Sequence, residues 1–255
     1  MKRREILAAG ALSGMIPLTG FASKQAQHQN QDTSKELYEW RTYDLKFRGN
    51  QNRLKSYLND HLRPAFTKRG ANHFLQFSSY GLEEPPKHWV LISYPDAETY
   101  LNCQTITHDP AFIQRSADYH SLPPEQAVYT RMKSSLLYAF DGLPKMDGEV
   151  ADAGLFELRI YEGYSEDAVR RKIMMFNLEE IALFQKIGLR PLFFGEMIAG
   201  PYRPCLVYML YFKDMEERNA LWKQFGQHPE WQAMRVKAEY ADTVSNIRKS
   251  FLLPG

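Results

Sequence analysis

The sequence predicts an α+β fold made of two βαββαβ units in tandem within one chain of 255 residues. Segments of the first half recur in the second half, in the same order and at a nearly constant offset. Each copy shows the pattern order strand, helix, strand, strand, helix, strand. Hydrophobic residues make up 44% of the chain and charged residues 24%, so there is ample material for a globular core.

The internal repeat is visible in five matched segments. Leu37–Tyr43 matches Leu155–Tyr161 at an offset of 118 residues, and Phe66–Gly70 matches Phe184–Gly188 at the same offset. Three further matches follow in order: Val90–Tyr94 with Val207–Tyr211, His108–Phe112 with His228–Trp231, and Lys133–Leu137 with Lys249–Leu253. Five ordered matches indicate an internal duplication.

Each copy opens with a strand and a helix. The first strand, over 37–46 and again over 155–162, alternates and is rich in β-formers. Apolar residues at helical spacing then predict a helix over 50–69 that ends at Gly70. The matching helix of the second copy ends at Gly188.

Two further strands follow in each copy. They are predicted over 73–80 and 88–94, and over 191–198 and 205–212. The turns between them carry Pro85-Pro86 and Gly200-Pro201, both typical turn residues.

A second helical region and a closing strand complete each copy. Asp96 and Asp214 are placed to cap its first helix. Asp109-Pro110 and His228-Pro229 predict a further helix start in each copy, with His108 and His228 as capping histidines. The first unit therefore spans 35–140, the linker 141–152 and the second unit 153–255.

A βαββαβ unit, the ferredoxin-like arrangement, forms a four-stranded antiparallel sheet with both helices on one face. The other face has to be buried. Two units in one chain can cover each other, so we expect the two sheets to close around a central cavity.

The N-terminus indicates export. Lys2, Arg3 and Arg4 precede an apolar stretch from Ile6 to Phe21, which is the layout of a signal peptide over 1–22. The Arg3-Arg4 pair resembles a twin-arginine signal, so a periplasmic or secreted location is expected, with a flexible leader over 23–34. A short membrane anchor is the alternative; after cleavage no stable membrane span is expected.

Composition excludes several classes of function. A net charge of +2 without runs of like charge argues against nucleic acid as a partner. Phosphate-binding loops, nucleophile elbows and cysteine-pair metal motifs are absent from the sequence, and its histidines lack metal-ligand spacing. We therefore predict no cofactor and no metal. Cys103 and Cys205 occupy non-equivalent places in the repeat and are predicted to be unpaired and buried, although pairing is the alternative in an oxidising compartment.

The second copy closely resembles a NIPSNAP-family domain. Glu157-x-Arg159-x-Tyr161 on the first strand and Pro229-Glu-Trp231 at a helix start carry most of the resemblance. The first copy, with Glu39-x-Arg41-x-Tyr43, is similar to a more diverged member. The resemblance implies the dimeric α+β barrel superfamily, with both halves in one polypeptide. Cofactor-free monooxygenases, isomerases and haem enzymes occur among relatives in that superfamily.

The first strand also supplies the candidate ligand-binding residues. Because side chains alternate along a strand, Glu39, Arg41 and Tyr43 share one face, as do their second-copy counterparts Glu157, Arg159 and Tyr161. We expect the apolar set (Tyr38, Trp40, Thr42; Phe156, Leu158, Ile160) to pack on the helices and the charged set to line the barrel interior. Each Glu is expected to pair with its Arg. The arginines would then grip an anion, or the pairs would only fix the sheet.

His61 and Glu179 occupy equivalent positions in the first helix of each copy. They are candidates to divide acid and base roles, with Tyr43 and Tyr161 as further catalytic candidates; the plain alternative is a histidine at the edge of an apolar stripe. Three functions stay open: binding of a small polar or anionic molecule in the cavity, a cofactor-independent oxygenase or isomerase using the same cavity, and a structural or partner-binding module with a filled barrel. A homodimer is also possible.

Overall fold

The computed structural model describes residues 34–46, 50–146 and 150–255. The predicted signal peptide over 1–22 lies outside the described residues, and so does the predicted leader over 23–34 apart from Ser34. Residues 147–149 of the predicted linker also lie outside them.

Eight strands form one closed antiparallel barrel. They are β1 (Leu37–Leu45), β2 (His73–Ser79), β3 (Lys87–Tyr94), β4 (Tyr129–Ala139), β5 (Leu155–Glu162), β6 (Arg190–Ala199), β7 (Cys205–Phe212) and β8 (Asn246–Pro254). The strand order around the barrel is β1-β3-β2-β8-β5-β7-β6-β4. Each half therefore supplies a four-stranded sheet, and the two sheets join along β2–β8 and β4–β6. The predicted fold class, two ferredoxin-like units closing a barrel within one chain, is confirmed.

The helices lie outside the barrel. In the first half they are α1 (Gln51–Ser56), α2 (Arg63–Lys68), α3 (Ala97–Gln104), α4 (Pro110–Arg115) and α5 (Ala117–His120). In the second half they are α6 (Glu166–Met175), α7 (Ile181–Ile187), α8 (Met215–Gln227) and α9 (Pro229–Met234). Short 3₁₀ turns occur at Thr105–His108, Pro124–Gln126 and Ala238–Tyr240. A π-helical turn joins α1 to α2 over Tyr57–Leu62, and another joins α6 to α7 over Phe176–Glu180.

The predicted helix ends agree with the structure except at His108. Asp96 and Asp214 accept hydrogen bonds from the backbone N–H groups of Thr99 and Glu217. His228 caps α9 through Nδ1. His108 does not cap α4: Asp109 does, because its carboxylate accepts from the first backbone N–H groups of that helix.

Two glycines end the first helix of each half, as the sequence predicted. Gly70 and Gly188 adopt φ angles of 98° and 83°, a left-handed conformation that costs glycine little.

The apolar core has three parts. One fills the barrel interior and includes Tyr38, Trp40, Phe156, Leu158 and Ile160. The other two lie between each sheet and its own helices. The prediction that this apolar face of β1 and β5 packs on the helices is therefore wrong. These side chains point into the barrel, and Glu39, Arg41, Tyr43, Glu157, Arg159 and Tyr161 lie beneath the helices instead.

The physical reason lies in hydrogen bonding. A buried carboxylate needs several donors, and the helices and neighbouring strands supply them on the outer face of the sheet. The narrow interior of an eight-stranded barrel suits aromatic and aliphatic side chains. All nine residues of β1 are buried, so both faces of this strand are covered and burial alone does not distinguish them.

The linker closes one end of the barrel. Met146 and Ala153 belong to the interior core, with Val150 packed against it. The backbone N–H of Met146 donates to the carboxylate of Glu36 at 2.8 Å. Tyr38 and Phe193 fill the same end with ring centroids 5.2 Å apart. The cavity is therefore confined to the opposite end, called here the mouth, where β1, β2, β5 and β6 finish and β3, β4, β7 and β8 begin.

Candidate functional site

A cavity of about 390 Å³ lies inside the barrel at the mouth. Strands from both halves line it, and the β2–β3 and β6–β7 loops flank it through Glu83 and Tyr202. This volume lies within the range typical of small-molecule sites. The central cavity predicted from the sequence is therefore present, and the reading of a completely filled barrel is wrong.

The cavity floor is apolar and aromatic. Trp40 and Trp89 stand side by side on β1 and β3, with ring centroids 5.3 Å apart. Aliphatic and thioether side chains complete the floor: Leu137, Leu158, Ile160, Met197 and Val207. Burying an apolar ligand against this floor is favourable because it removes apolar surface from water. The faces of the two indole rings favour contact with a flat aromatic ring.

The rim is polar and carries three ion pairs. Lys133 Nζ lies 2.6 Å from Asp44 Oδ2 across the β1–β4 ladder. Lys87 pairs with Glu83, and Arg248 pairs with Glu162. Between rim and floor, three hydroxyl side chains face the cavity: Thr42, Ser135 and Ser250. The rim can therefore supply both cations and hydroxyl donors to a polar group.

Asp44 is the one rim carboxylate with an incomplete set of partners. Its Oδ2 is paired with Lys133, but its buried Oδ1 has no hydrogen-bond partner among the described residues. The side chain of Lys133 is 59% exposed, so its ammonium group is accessible from solvent. A ligand carboxylate that enters here can reach the ammonium group of Lys133, whose ion-pair partner is Asp44.

The predicted ion pair of the first half is present beneath the helices. Arg41 donates from Nε and one terminal nitrogen to both oxygens of Glu39, at 2.7 and 2.9 Å. Glu39 also accepts from Ser134 at 2.7 Å, Tyr94 at 2.8 Å and Gln104 at 3.1 Å. Every oxygen of this carboxylate is used, so the pair holds β1, β3, β4 and α3 together.

The second half repeats the arrangement with two arginines. Glu157 accepts from Arg159 at 2.8 Å, from Arg218 of α8 at 2.9 Å on each oxygen, and from the indole of Trp222 at 2.7 Å. The guanidinium of Arg159 lies 3.6 Å from the centroid of Trp222 and donates to Tyr161 at 3.1 Å. Glu157 is fully buried, and this network leaves no open coordination for an external anion.

The electrostatics of both pairs match this geometry. Burial by itself would raise the pKa of Glu39, but the charge and hydrogen bonds of Arg41 outweigh it and lower that pKa. Burial opposes ionisation of Glu157 too, and the hydrogen bond from Arg218 with the charge of Arg159 lowers its pKa below the ordinary value. Both carboxylates are therefore held ionised as structural acceptors, which makes them poor proton donors or acceptors.

None of the predicted catalytic residues lines the cavity. Tyr43 packs edge-on against Tyr129 in the core beneath the helices, with centroids 5.2 Å apart. Tyr161 accepts a hydrogen bond from Tyr208 at 2.9 Å in the matching core of the second half. His61 lies on the π-helical turn in the helix layer, 3.9 Å from Asp118. The division of acid and base roles inside one cavity is therefore not supported by their positions.

Glu179, the counterpart of His61, also lies outside the barrel. Lys237 contacts both of its oxygens at 2.7 Å, and Tyr240 donates to it at 2.7 Å. These hydrogen bonds, chiefly those from Lys237, lower the pKa of Glu179. Glu179 therefore links the π-helical turn that precedes α7 to the 3₁₀ turn that precedes β8.

Sequence reasoning missed the residues that line the cavity. The repeated Glu-x-Arg-x-Tyr pattern on the first strand gives no information about Trp89, Lys87, Lys133 and Arg248, because they lie on other strands. A signal was available on β4, where Lys133, Ser135 and Leu137 occupy alternate positions and change from charged to apolar along the strand. Such a gradient is typical of a strand running from a wet mouth into a dry interior.

Comparison with known families decides the assignment of the second half. A family profile described as NIPSNAP matches residues 156–255. Over these residues the second half is similar to NIPSNAP domains. The matched half contains β5 to β8 with the Glu157–Arg159 pair and contributes Leu158, Ile160, Val207 and Arg248 to the cavity.

Solved structures with the same fold extend over both halves. A predicted monooxygenase from Fusobacterium nucleatum aligns with a TM-score of 0.57 and 13% identity, covering 87% of this chain and 93% of that one. A predicted monooxygenase from Lactobacillus acidophilus gives 0.54 and 11%, covering 86% and 93%. An anthrone oxidase-like protein gives 0.53 and 9%, covering 87% and 92%. At these identities the likeness shows the fold alone, which is that of the dimeric α+β barrels.

Three further findings bear on the chain. No curated protein sequence matches it. Cys103 and Cys205 are unpaired and buried, as predicted. Among the helices of the described residues, none has the length and apolar character that crossing a bilayer requires.

Proposed function

We propose that this protein binds a small molecule in the barrel cavity, and that the ligand combines a flat apolar body with a carboxylate or similar anionic group. The cavity itself carries the proposal: it is open, it is floored by Trp40 and Trp89, and cations stand at its rim. This narrows the sequence-based hypothesis of a polar or anionic ligand, since a wholly polar molecule would leave the apolar floor uncovered.

The rim supports an anionic group at one end of the ligand. Lys133 is exposed and forms one ion pair, while Ser135 lies two residues further along the same strand and Thr42 lies opposite Lys133 on β1. A carboxylate placed there would accept from an ammonium group and from hydroxyls, and such charge-assisted hydrogen bonds are the stronger kind. The apolar body would then lie between the tryptophans and the aliphatic side chains of the second half.

Binding is preferred to catalysis because of what lines the cavity. Its described lining contains no histidine and no cysteine, and its one carboxylate, Glu83, is paired with Lys87. The neighbouring carboxylates Asp44 and Glu162 are paired with Lys133 and Arg248. A cofactor-independent oxygenase or isomerase needs a poised base beside its substrate. The fold neighbours that are named monooxygenases share only the fold with this chain, so their names do not assign an activity to it.

The experiment is a titration with paired aromatic compounds followed by tryptophan emission. Naphthoate-type carboxylates and their carboxamides share a ring and differ in charge. We expect the carboxylates to change the emission of Trp40 and Trp89 and to bind about tenfold more tightly than the carboxamides. Lys133→Gln should remove this preference while leaving carboxamide binding unchanged. Lys223→Gln, on the exposed face of α8, is the matched control.

A cavity-filling variant provides the decisive comparison. Val207→Trp places a large ring where the ligand body would lie, so it should abolish binding of both compounds. Equal binding by this variant and the parent chain would refute the cavity as the site. A carboxylate preference that persists in Lys133→Gln would refute only the anionic recognition.

The binding is expected to take place outside the cytoplasm, because of the twin-arginine-type start at Arg3-Arg4. This location stays a prediction. Fractionation of cells that express the full chain tests it, and recovery of the uncleaved chain from the cytoplasm would contradict it.

A further inference from the structure

We propose that the cavity ligand carries a neutral hydrogen-bond acceptor, a carbonyl-type oxygen, at the end opposite its carboxylate, and that Arg248 and Ser250 bind this acceptor. This rests on the proposed function, which places the carboxylate at Lys133 and assigns no contact to the other end of the ligand. The internal duplication supplies the reason, because it places a second set of donors on the opposite wall of the cavity.

Lys133 and Arg248 face each other across the barrel. They lie on β4 and β8, which are separated by three strands in either direction around the barrel. Lys133 is opposite Thr42 on β1. Arg248 is opposite Ile160 on β5. Thr42 and Ile160 are equivalent positions in the two halves, at the offset of 118 residues. The two cations therefore lie at the same depth on opposite walls, and both line the cavity.

A serine lies below each of these cations. Ser135 takes the next interior position after Lys133 on β4, and in the same way Ser250 follows Arg248 on β8. Both serines line the cavity. Each wall therefore offers a cation with a hydroxyl group beneath it, a combination that can donate to an oxygen of the ligand. A ligand with one polar end uses this combination on one wall and leaves it unused on the other.

The guanidinium group of Arg248 has donors without an acceptor in the protein. Its Nε donates to Glu162, whereas its two terminal nitrogens form no hydrogen bond with the residues that the structure describes. The group lies 4.3 Å from the centroid of the Tyr202 ring, and stacking of this kind restricts the orientation of a guanidinium plane. Tyr202 also lines the cavity. The arginine is therefore held in place with its remaining donors available to a ligand.

A neutral oxygen suits this position better than a second carboxylate. Glu162 offsets the charge of Arg248, so a further negative group there would gain little from attraction to the guanidinium and would be repelled by Glu162. A carbonyl oxygen accepts from the same nitrogens without that repulsion. The two walls also differ in their cation, because lysine carries a compact charge and arginine a planar fork of donors. We therefore assign the carboxylate to the Lys133 wall and the neutral acceptor to the Arg248 wall.

Apolar side chains flank the space between the two walls. At the depth of the two cations, Trp89 lies on β3 and Val207 on β7, opposite the same two positions of β1 and β5. β3 and β7 are also separated by three strands in either direction, and each lies midway between β4 and β8 in the strand order. A flat ring system that reaches from one cation to the other would therefore have Trp89 on one side and Val207 on the other.

The other two cations of the lining do not form an equivalent pair. Lys87 pairs with Glu83, and the residue at the equivalent place on the opposite wall is Cys205, which has no positive charge. Lys249 is in register with Arg159, so alternation directs its side chain to the outer face of β8. Lys133 and Arg248 are thus the two lining cations that the duplication places against each other.

Calorimetric titration of the full chain with matched naphthoates tests the proposal. The acetyl compound, 6-acetyl-2-naphthoate, has a carbonyl oxygen at the end opposite its carboxylate, and the isopropenyl compound, 6-isopropenyl-2-naphthoate, has the same shape without that acceptor. We expect the acetyl compound to bind about tenfold more tightly, because hydrogen bonds to a charged donor are the stronger kind. In the adjacent isomers, which carry these groups beside the carboxylate at position 3, the difference should vanish. Equal affinities of the acetyl and isopropenyl compounds would overturn the proposal, and so would an equal difference in the adjacent isomers.

Variants of Arg248 locate the acceptor. Arg248→Met keeps an apolar stem without donors, so it should remove the preference for the acetyl compound. Any effect of the Glu162 carboxylate left without its partner cancels in this comparison, because both compounds have the same charge. Arg235→Met, at an exposed position of α9, is the matched control and should keep the preference. A preference that persists in Arg248→Met would refute the assignment.

Failure of this inference is distinguishable from failure of the proposed function. Loss of the acceptor preference alongside an intact preference for naphthoate over its carboxamide, sensitive to Lys133→Gln, would overturn the inference alone. Equal binding of the acetyl compound by Val207→Trp and the parent chain would place the ligand outside the cavity, and both would then be refuted.

Discussion

His88 shows how a single buried side chain makes the stability of this protein depend on pH. It lies on β3 beneath the helices, where its Nε2 is 2.7 Å from Gln76 Oε1, and Gln76 in turn donates to Asn59 at 2.7 Å. Burial, with a smaller contribution from the charge of Lys55, lowers the pKa of His88 from 6.5 to about 4. The folded protein therefore holds this imidazole neutral.

The stability of the fold should therefore decrease as the pH falls from about 6.5 towards 4. In that window the unfolded chain binds a proton at His88 and the folded chain does not, so protonation favours unfolding. One pKa unit corresponds to about 1.4 kcal/mol, so the loss from His88 should reach about 2–3 kcal/mol near the lower limit. Urea unfolding of the parent chain and of His88→Gln at several pH values within the window measures it. The variant should show a flatter profile, and parallel profiles would contradict the assignment.

The charged triplets show what alternation along a strand does and does not specify. Alternation placed Glu39, Arg41 and Tyr43 on one face and predicted the Glu39–Arg41 pair, and both are confirmed. It gave no means of choosing the face, because both faces of β1 are buried. The donors that decide the choice, Gln104 and Tyr94, lie more than fifty residues away in the chain and have no signature in the strand itself.

At the scale of elements, the first helix of each half contains the same irregularity. The sequence predicted one uninterrupted helix over 50–69, whereas a π-helical turn interrupts it at Tyr57–Leu62, and an equivalent turn occurs at Phe176–Glu180. Apolar spacing over a few turns does not resolve one widened turn, so periodicity could not reveal it. The caps were predictable because one local side chain determines each, as at Asp96 and Asp214.

The two halves fill equivalent positions around this turn in different ways. In the first half Leu54 and Leu62 are buried. Their counterparts in the second half are Lys172 and Glu180, also buried, with Nζ 2.7 Å from Oε2. The ammonium group lies 4.6 Å from the centroid of Phe176, so apolar groups surround the pair. A charge there is tolerated only while its partner is present.

Replacing Lys172 and Glu180 by leucine, the residue at both equivalent positions of the first half, should remove the desolvation cost of this buried ion pair. We expect Lys172→Leu and Glu180→Leu to destabilise the fold by about 3–5 kcal/mol each, because each leaves an uncompensated buried charge. The double variant should be as stable as the parent chain or more stable, by up to about 4 kcal/mol. Chemical denaturation of the four proteins gives the coupling energy. Additive losses in the double variant would show that the two side chains act independently.

For the whole molecule, duplication was the most informative feature of the sequence. It predicted two sheets covering each other, and the closed eight-stranded barrel confirms this. It did not predict that the linker closes one end, because Gly142, Pro144 and Gly148 resemble a plain connection and Met146 gives no separate signal. The position of the cavity follows from that closure, and so it too required the three-dimensional structure.

Both halves should unfold together, since each covers the interior face of the other. Phe156 of the second half packs against Phe77 of the first with ring centroids 4.8 Å apart. Phe156→Ala should lower the free energy of unfolding by about 3–5 kcal/mol. The decrease in the free energy of unfolding should be the same whichever half is followed, because neither sheet can keep its inner face buried without the other. Trp40 and Trp89 report on the first half and Trp222 and Trp231 on the second, so fluorine spectra of 5-fluorotryptophan protein follow each separately. Leu178→Ala, at an exposed position, should change nothing. Resonances of the second half that disappear at a lower urea concentration than those of the first would show that the halves fold as independent units joined only by the linker.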